Sequence, residues 1–266
     1  MKERIISLLS PDYPWKERFH WVDQTGSTND DLKVLARQGA PHGTVLIADR
    51  QSGGHGRMGR SFHSPGGVGI YFSILLRPDC QPGQLMHLTC ATAVAMCDAV
   101  EQAASFRPGI KWTNDLVCGK HKLGGILTEL GLSAKGGVDY AIIGIGINCC
   151  QRESDFPQEI RDIAASLSMV TGRDIDRAAV AAAMMDTLAA MDRNLLRSKA
   201  EILDRYRKDC ITIGQEISLL RVGEAVRHGK AIDMDDDGCL IVAFEDGHRE
   251  TVSSGEVSVR GMYGYL

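Results

Sequence analysis

A glycine-rich segment at residues 50–60 carries the residue types best suited to binding phosphate. It contains four glycines, whose backbone N–H groups can approach an anion closely because no Cβ intervenes. Arg57 and Arg60 lie three residues apart, and a guanidinium donates paired hydrogen bonds to phosphate or carboxylate oxygens. Glycine and arginine are also common in flexible linkers, so this segment alone leaves a mobile surface loop open.

Two common nucleotide-binding motifs do not account for this segment. Residues 54–59 match the letters of the dinucleotide fingerprint G-x-G-x-x-G. That fingerprint needs a helix directly after the loop, whereas residues 61–67 contain Pro65 and two glycines. The phosphate-binding sequence G-x-x-x-x-G-K-[ST] does not occur in the chain. If ATP binds, another architecture must hold it.

A second group of chemical residues lies at 111–115 (Lys-Trp-Thr-Asn-Asp) and 122–127 (Lys-Leu-Gly-Gly-Ile-Leu). Lys122 stands just before an apolar strand, where an ammonium can neutralise charge that develops during acyl transfer. Asp115, beside Asn114, could coordinate Mg²⁺ or orient a lysine. A solvated lysine at a hairpin and an ordinary Asn-Asp turn are the structural alternatives.

Two further segments place polar or small residues at the end of a predicted helix or strand. Residues 27–30 (Ser-Thr-Asn-Asp) have the hydroxyl and the acid of a capping box. The same side chains could hydrogen-bond a polar ligand at the positive end of the helix dipole. Residues 144–148 (Gly-Ile-Gly-Ile-Asn) predict a strand whose glycines allow a helix or a ligand to pack closely.

The elements that must position these segments follow from hydrophobic periodicity. Helical spacing predicts helices over residues 27–38 and 84–104, and two or three more over 159–207, interrupted by Gly172. Apolar runs predict strands over 44–49, 70–76 and 140–148, and a strand, turn and strand over 110–130 with the turn at Gly119 and Lys120. The glycine-rich loop would then connect two core strands of an α+β fold.

The pattern changes after Cys210. Short strand-like runs at 217–220, 225–232, 240–244 and 257–259 are separated by acidic, glycine-containing turns. Such spacing predicts a small β-barrel built from hairpins. We therefore predict a catalytic domain over residues 1–212 and a C-terminal β domain over 213–266.

Composition narrows the class of protein. The 266 residues are 44% hydrophobic and 24% charged, which is typical of a globular protein. The net charge of −4 argues against a nucleic-acid footprint over the whole surface. No apolar run reaches the roughly 18 residues of a membrane span, and no signal-peptide pattern precedes the first polar segment. Eight cysteines without a Cys-x-x-Cys pair predict free thiols in the cytoplasm.

Taken in order, the motifs between residues 27 and 148 closely resemble those of the biotin-protein ligase family. The resemblance rests on the Ser-Thr-Asn helix start, the glycine and arginine loop, the two lysine motifs and the Gly-Ile-Gly-Ile-Asn strand. It implies a mixed sheet with packed helices, of the class II synthetase-like type shared by biotin and lipoyl ligases. It also implies that the C-terminal module is a small SH3-like β-barrel.

The resemblance further implies an ATP-dependent ligase that adenylates biotin and passes it to a lysine of a carrier protein, with Mg²⁺ required. The implied catalytic residues are Lys122, Arg57 and Asp115, the last also as a metal ligand. The implied biotin contacts are Ser27, Thr28, Asn29, Gln51, Gly54, Lys122 and Gly125. The implied contacts with the nucleotide and its phosphates are Arg57, Arg60, Phe62, Asn114 and Asn148.

The sequence departs from the family pattern at two positions. His55 stands where the loop usually has its first arginine, which replaces a constant charge by one that varies near neutral pH. Thr113 stands where the family usually has proline.

The resemblance also carries expectations about partners. Because only 26 residues precede Ser27, we expect a monofunctional ligase without a DNA-binding domain. The expected partner is a biotin carboxyl carrier protein or domain, of acetyl-CoA carboxylase or another biotin-dependent carboxylase. A homodimer is possible, and neither DNA nor a membrane is an expected partner.

Three other functions remain to be separated. A lipoyl or octanoyl ligase or transferase would share the architecture, although residues 111–115 and the paired arginines favour biotin. A non-catalytic biotin-binding regulator would need no phosphate clamp, so Arg57, Lys122 and Asp115 together argue against it. A DNA-binding repressor is disfavoured by the short N-terminal segment.

Overall fold

A computed structural model describes residues 1–220 and 224–253, and the backbone of 258–261. Its largest element is a seven-stranded mixed sheet with the strand order β1-β2-β3-β7-β6-β5-β4. The strands are β1 (Phe19–Thr25), β2 (Thr44–Gln51), β3 (Gly69–Leu76), β4 (Gly109–Lys111), β5 (Asp115–Cys118), β6 (His121–Leu132) and β7 (Val138–Asn148). Only β1 and β2 pair in parallel, and every other neighbouring pair in this sheet is antiparallel.

The sheet confirms the predicted core strands and their connection. β3 is buried along its whole length, as its run of β-branched and aromatic residues predicts. The glycine-rich loop joins β2 to β3, as expected. The region 110–130 forms three strands rather than two, because the chain turns between β4 and β5 as well as at Gly119. β1 was not predicted, since only Phe19 is buried on this edge strand and the apolar alternation is weak.

Six α-helices accompany the sheet in the described part of the chain. They are α1 (Lys2–Leu8), α2 (Thr28–Arg37), α3 (Leu88–Ala104), α4 (Leu167–Thr171), α5 (Arg177–Asn194) and α6 (Lys199–Asp209). Gly172 ends α4 with a φ of 66°, which confirms the predicted interruption. Two predicted helix starts are too early: α3 begins at Leu88 after a short 3-10 turn, and the first helix after residue 159 begins at Leu167. α1 was not predicted.

Apolar side chains fill both faces of the sheet. On one face a large core includes α3 and α5 and contains Ile74, Met96 and Leu188. On the other face α2 covers a small cluster in which Leu32 packs with Leu46, Leu75 and Ile142. α2 is therefore fixed on the sheet, with its N-terminus beside the loop that follows β2.

The C-terminal module is a second, five-stranded antiparallel sheet. Its strands are β8 (Glu216–Leu220), β9 (Arg227–Met234), β10 (Leu240–Ala243), β11 (Arg249–Val252) and β12 (Ser258–Gly261), in the order β11-β10-β9-β8-β12. β11 was not predicted because its residues are largely polar. Of the predicted strand 257–259, Val257 lies outside the described residues.

The β-module packs directly on the catalytic region. Its apolar residues join the main core, and Trp112 Nε1 donates a hydrogen bond to the carbonyl oxygen of Gly238 at 2.9 Å. Lys199 and Asp237 form an ion pair across the same contact. The division of the chain at residues 212 and 213 stays a prediction.

None of the eight cysteines, all of which lie in the described part of the chain, forms a disulfide. Among the described residues, no helix is both long and apolar enough to cross a membrane.

Candidate active site

A cavity of about 550 Å³ opens between the N-terminus of α2, the glycine-rich loop and strands β5, β6 and β7. One end is lined by uncharged polar side chains and the other by charged ones. The apolar wall of the cavity includes Leu127, Phe156, Ile160 and Ile163. An elongated ligand with a polar head, an apolar middle and an anionic end matches this distribution.

The uncharged end is built at the first turn of α2. Ser27 is the N-cap residue, and its hydroxyl accepts a hydrogen bond from the backbone N–H of Asp30 at 3.5 Å. Gln51 Oε1 lies 2.8 Å from the backbone nitrogen of Thr28 and 3.0 Å from its hydroxyl oxygen. Gln51 Nε2 in turn donates to the hydroxyl of Ser64 at 3.2 Å. These groups are buried or half-buried, so a ligand here would meet fixed donors and acceptors.

Asn29 extends this polar cluster beneath the sheet. Its Nδ2 donates to Glu129 Oε2 at 2.8 Å, and Glu129 also forms an ion pair with Lys33 at 2.7 Å. The fully buried hydroxyl of Ser73 lies 2.6 Å from Asn29 Oδ1 and 2.7 Å from Thr28 Oγ1. Asn29 is thus held between a hydroxyl and a carboxylate.

The glycines of β7 make room for these side chains. A Cβ built on Gly144 would lie 2.2 Å from Asn29 Oδ1, and one on Gly146 would lie 2.4 Å from the ring of Phe62. Both distances are far shorter than a real carbon contact. Gly144 therefore permits the position of Asn29, and Gly146 permits Phe62 to pack against the sheet.

The charged end centres on an ion pair between neighbouring strands. Lys122 Nζ lies 2.6 Å from Asp115 Oδ1. The main chain of Lys122 is held on both sides, since its nitrogen donates to Ile163 and its carbonyl accepts from Ala165. Gly125 leaves the space beside the pair open, because a Cβ there would lie 3.2 Å from Lys122 Nζ. The ammonium therefore faces the cavity from a fixed backbone.

Asn114 connects the loop to this end. Its Nδ2 donates to the carbonyl of Ile126 at 3.0 Å, which turns Oδ1 toward Arg57 Nη1, also at 3.0 Å. Burial lowers the pKa of the Arg57 guanidinium from its ordinary value, an effect that the nearby Asp115 carboxylate opposes and the Arg60 cation reinforces. The loop arginine is thereby positioned inside the cavity.

The balance of charge suits an anionic ligand. The cavity lining includes four cations, Arg57, Arg60, Lys111 and Lys122, and one carboxylate, Asp115. The whole chain carries a net charge of −4, so the positive charge is local to the cavity. A concave surface lined by one sign of charge concentrates ligands of the opposite sign.

The rest of the loop lies over the cavity. Arg60 is exposed and Phe62 is half-buried, with the Phe62 ring edge-on to Tyr71 at a centroid distance of 6.4 Å. His55 Nδ1 lies 3.0 Å from the carbonyl oxygen of Gly53, and its Nε2 is 3.9 Å from Asp30. His55 thus links the loop to the first turn of α2.

Most of the predicted site residues come together, with one clear exception. The cavity lining includes Ser27, Thr28, Asn29, Gln51, Arg57, Arg60, Phe62, Asn114, Asp115, Lys122, Gly125 and Asn148. Gly54 instead lines an adjoining depression, where it packs against Gln51 and Ser64. Its lack of a side chain lets the loop close on Gln51. The Asn148 amide donates to Ala165 and accepts from Gln151.

Three residues that line or support the cavity were not predicted from the sequence. Lys111 lines the cavity although it is only 6% exposed, and strand alternation on β4 was the signal available for it. Ser73 and Glu129 act through Asn29, and their partners are distant in sequence. Thr113, one of the departures from the family pattern, is buried, and its hydroxyl oxygen has no hydrogen-bond partner among the described residues.

The residues suit Mg²⁺ only when a phosphate also binds it. No cluster of three His, Cys, Asp or Glu side chains that could hold a metal occurs among the residues that the structure describes. Asp115 supplies one carboxylate at the charged end, beside Asn114. Magnesium is commonly held by one or two carboxylates together with substrate phosphates, and this donor set fits that mode.

Comparison with known proteins identifies the family of this chain. The model of the biotin/lipoate A/B protein ligase family matches residues 21–148, and that of the biotin protein ligase C-terminal domain matches residues 212–260. The bifunctional ligase/repressor BirA of Bacillus spizizenii is 36% identical over 235 residues, which cover 88% of this chain and 72% of that protein. The biotin–[acetyl-CoA-carboxylase] ligase of Mycobacterium tuberculosis is 32% identical, over 89% of this chain and 86% of its own.

The fold matches solved structures as well. Biotin protein ligase from Aquifex aeolicus, in complex with biotin and ATP, superposes with a TM-score of 0.77 at 32% identity, covering 91% of this chain and 98% of the other. This chain therefore belongs to the biotin protein ligase family. The predicted fold, a mixed sheet with packed helices and a C-terminal SH3-like β-module, is confirmed.

Proposed function

We propose that this protein is an ATP-dependent biotin ligase, which adenylates biotin and transfers it to a lysine of a carrier protein. One observation carries the proposal: the polar end at Thr28, the ion pair at Lys122 and an apolar wall all line a single cavity. The bicyclic head group of biotin would lie at Thr28 and Gln51, its alkyl chain along the wall, and its carboxylate at Lys122.

In the first half reaction, a carboxylate oxygen of biotin attacks the α-phosphorus of ATP, and pyrophosphate leaves. Both reactants are anionic, so they repel each other until cations neutralise them. Lys122 can bridge the carboxylate and the α-phosphate from its fixed position, and Arg57 and Lys111 add positive charge along the phosphates. Mg²⁺ bound with the phosphates would supply further neutralisation of the leaving pyrophosphate, with Asp115 as its protein ligand.

In the second half reaction, the amine of the carrier lysine attacks the acyl carbon of the mixed anhydride, and AMP leaves. The attacking amine must be neutral, and a carboxylate near it can orient it and receive its proton. Asp115 is the carboxylate that lines the charged end of the cavity. We assign it this orienting role once Lys122 has turned to the substrate.

The glycine-rich loop would protect the intermediate between the two steps. Arg57 donates a hydrogen bond to Asn114, and the ring of Phe62 packs against Gly146. The loop therefore contacts both the charged end of the cavity and the sheet. Contacts with an adenylate would strengthen this closure, because the guanidinium then gains a phosphate partner. Water would be excluded from a mixed anhydride that hydrolyses readily.

Similarity to ligases named for acetyl-CoA carboxylase supports the biotin carrier of that enzyme as the protein substrate. The test is to incubate the chain with ATP, Mg²⁺, biotin and a purified carrier domain, and to measure the intact mass of the carrier. The carrier should gain one biotinyl group, and a carrier with its target lysine replaced by arginine should gain none. An unmodified wild-type carrier would contradict this substrate.

Three narrower expectations stay predictions: a homodimer, no DNA binding and a cytoplasmic location. Sedimentation with and without biotin tests the first. The main alternative, a lipoyl or octanoyl ligase, is tested by replacing biotin with lipoate or octanoate in the carrier assay.

A further inference from the structure

A chain of hydrogen bonds runs from the backbone of Lys122 to a buried glutamine. The carbonyl oxygen of Lys122 accepts from the backbone nitrogen of Ala165 at 2.9 Å, and the Ala165 carbonyl accepts from Asn148 Nδ2 at 3.1 Å. Asn148 Oδ1 in turn accepts from Gln151 Nε2 at 3.2 Å. Ala165 therefore connects Lys122 with a second side chain of the same cavity, that of Asn148.

Asn148 lies at the end of β7 and offers an uncharged amide to the cavity. In the proposed reaction the α-phosphate of ATP lies at Lys122, so the base must lie about one ribose away in the same cavity. The edge of adenine carries an amino donor next to a ring nitrogen that accepts, and an amide offers the complementary pair. Asn148 therefore suits the base better than the phosphates.

The Ala165 carbonyl fixes the direction in which the Asn148 amide points. A carbonyl oxygen only accepts, so the atom of Asn148 that faces it must be Nδ2. Asn148 Oδ1 then faces Gln151, and Gln151 must turn its own Nε2 toward that oxygen. One Nδ2 proton and one Oδ1 lone pair of Asn148 remain for a ligand.

Gln151 lies behind Asn148 and is completely buried. Its backbone is fixed, because its carbonyl oxygen accepts from the Ser166 hydroxyl at 2.6 Å. Its Oε1 has no hydrogen-bond partner within residues 1–220 and 224–253. Burying an unpaired amide oxygen costs free energy, which offsets the hydrogen bond that Nε2 donates. The amide of Gln151 thus adds little net stability, and its effect is on the position of Asn148.

We propose that Gln151 is a positioning residue for the nucleotide base: it holds the Asn148 amide so that the remaining proton and lone pair meet the edge of adenine. The inference rests on the proposed function, since ATP supplies the base. Because Ala165 also binds the backbone of Lys122, the same chain of hydrogen bonds sets the distance between the base and the reacting phosphate.

Two variants remove the donor of Gln151 and keep a side chain of similar volume. They are Gln151→Met and Gln151→Leu, and in both of them Asn148 Oδ1 loses the bond that holds it. The Asn148 side chain can then rotate away from the base. Gln158→Met is the matched control, because it makes the same change at an exposed position of the segment that follows β7.

The experiment measures exchange of labelled pyrophosphate into ATP, with the melting temperature as a check on folding. In both Gln151 variants the KM for ATP should rise by about tenfold, while the KM for biotin and the melting temperature change little. The control should keep the wild-type KM for both substrates. A general loss of packing would instead lower the melting temperature and raise both KM values.

A second readout tests whether Gln151 acts through the base. Purine riboside 5′-triphosphate has the ring system of adenine without its amino group, so it cannot donate to Asn148 Oδ1. The wild-type chain should have a KM for it about tenfold above that for ATP, and Gln151→Met should reduce this ratio to about two or less.

Three outcomes would contradict the proposal in different ways. An equal rise of the KM for ATP and for the analogue would assign Gln151 a purely structural role and overturn the inference. An unchanged KM for ATP in folded, active Gln151 variants would overturn this inference alone. No biotin-dependent exchange by the wild-type chain would overturn the proposed function, and this inference with it.

Discussion

Lys122 and Asp115 form an ion pair between neighbouring strands at the charged end of the cavity, with 2.6 Å between Lys122 Nζ and Asp115 Oδ1. The pair keeps a cation and a carboxylate at the place where two anionic substrates would meet. Neither strand needs to move for Lys122 to turn from Asp115 to a bound carboxylate. The ion pair thus holds the Lys122 ammonium beside the place where the two substrates would bind.

Replacing Lys122 by alanine should slow adenylate formation by at least about a hundredfold, because the reacting carboxylate and phosphate lose their shared cation. Its side chain is partly exposed, so the melting temperature should change little. Pyrophosphate exchange and calorimetry measure the two effects. Lys120→Ala, in the exposed turn before β6, is the matched control and should leave exchange unchanged. Normal exchange in Lys122→Ala would refute the proposed role.

Replacing Arg57 by alanine should increase release of free biotinyl-AMP by about tenfold or more, because the loop loses its contact with Asn114 and its phosphate partner. Chromatography of the reaction without carrier measures the released adenylate. Ser52→Ala changes an exposed residue of the same glycine-rich segment and should not increase release. If the two variants release equal amounts, loop closure does not depend on Arg57.

Adding a methyl group at Gly146 should weaken biotin binding by about tenfold or more, because it would displace the ring of Phe62 from the cavity wall. Titration calorimetry with biotin measures the loss. Gly137→Ala is the matched control: Gly137 directly precedes β7, the nearest atom would be 3.6 Å from the new carbon, and the variant should bind biotin normally. Wild-type affinity in Gly146→Ala would show that biotin binding does not depend on the position of Phe62.

Thr113→Val should stabilise the protein by about 1 kcal/mol, because a methyl group of similar shape replaces a buried hydroxyl that has no partner in the part of the chain that the structure describes. Denaturant unfolding measures the change in the free energy of unfolding. A destabilised variant would show that the hydroxyl is satisfied in solution.

Stability should also decrease in alkaline solution. Burial raises the pKa of the Cys90, Cys97 and Cys149 thiols in the folded protein. The folded state therefore holds these protons more tightly than the unfolded state. Their contribution is present below the unfolded pKa of about 8.5 and is lost as the pH rises above it. Unfolding between pH 7 and 10 measures this slope. In the cysteine-to-alanine variants the slope should be smaller, and an unchanged slope would assign it to other groups.

The site residues that could be predicted from the sequence are those whose chemical groups lie together in one short motif. Arg57 and Lys122 were predicted because their motifs combine a cation with glycines on a short stretch of chain. Ser73 and Glu129 were missed because each is ordinary in its own strand and gains a role only through Asn29, which is 44 residues from Ser73 and 100 from Glu129. The sequence alone does not show that Ser73 and Glu129 lie close to Asn29.

The elements of the fold were likewise predicted where the local sequence pattern is strong. β3 and β7 were predicted because both are continuous apolar runs, and α2 because its N-cap and periodicity agree. β1 was missed because an edge strand need not alternate strongly. Gly54 was assigned to the ligand from its motif, but the loop turns it toward Ser64 and away from the main cavity.

The central claim is that this cavity activates biotin with ATP. It is tested most directly by exchange of labelled pyrophosphate into ATP with Mg²⁺, which isolates the first half reaction and needs no carrier. Biotin should support the exchange, and lipoate and octanoate at the same concentration should not. Exchange with lipoate or octanoate but not biotin would contradict the proposed substrate, and exchange with none of the three would contradict the adenylation chemistry.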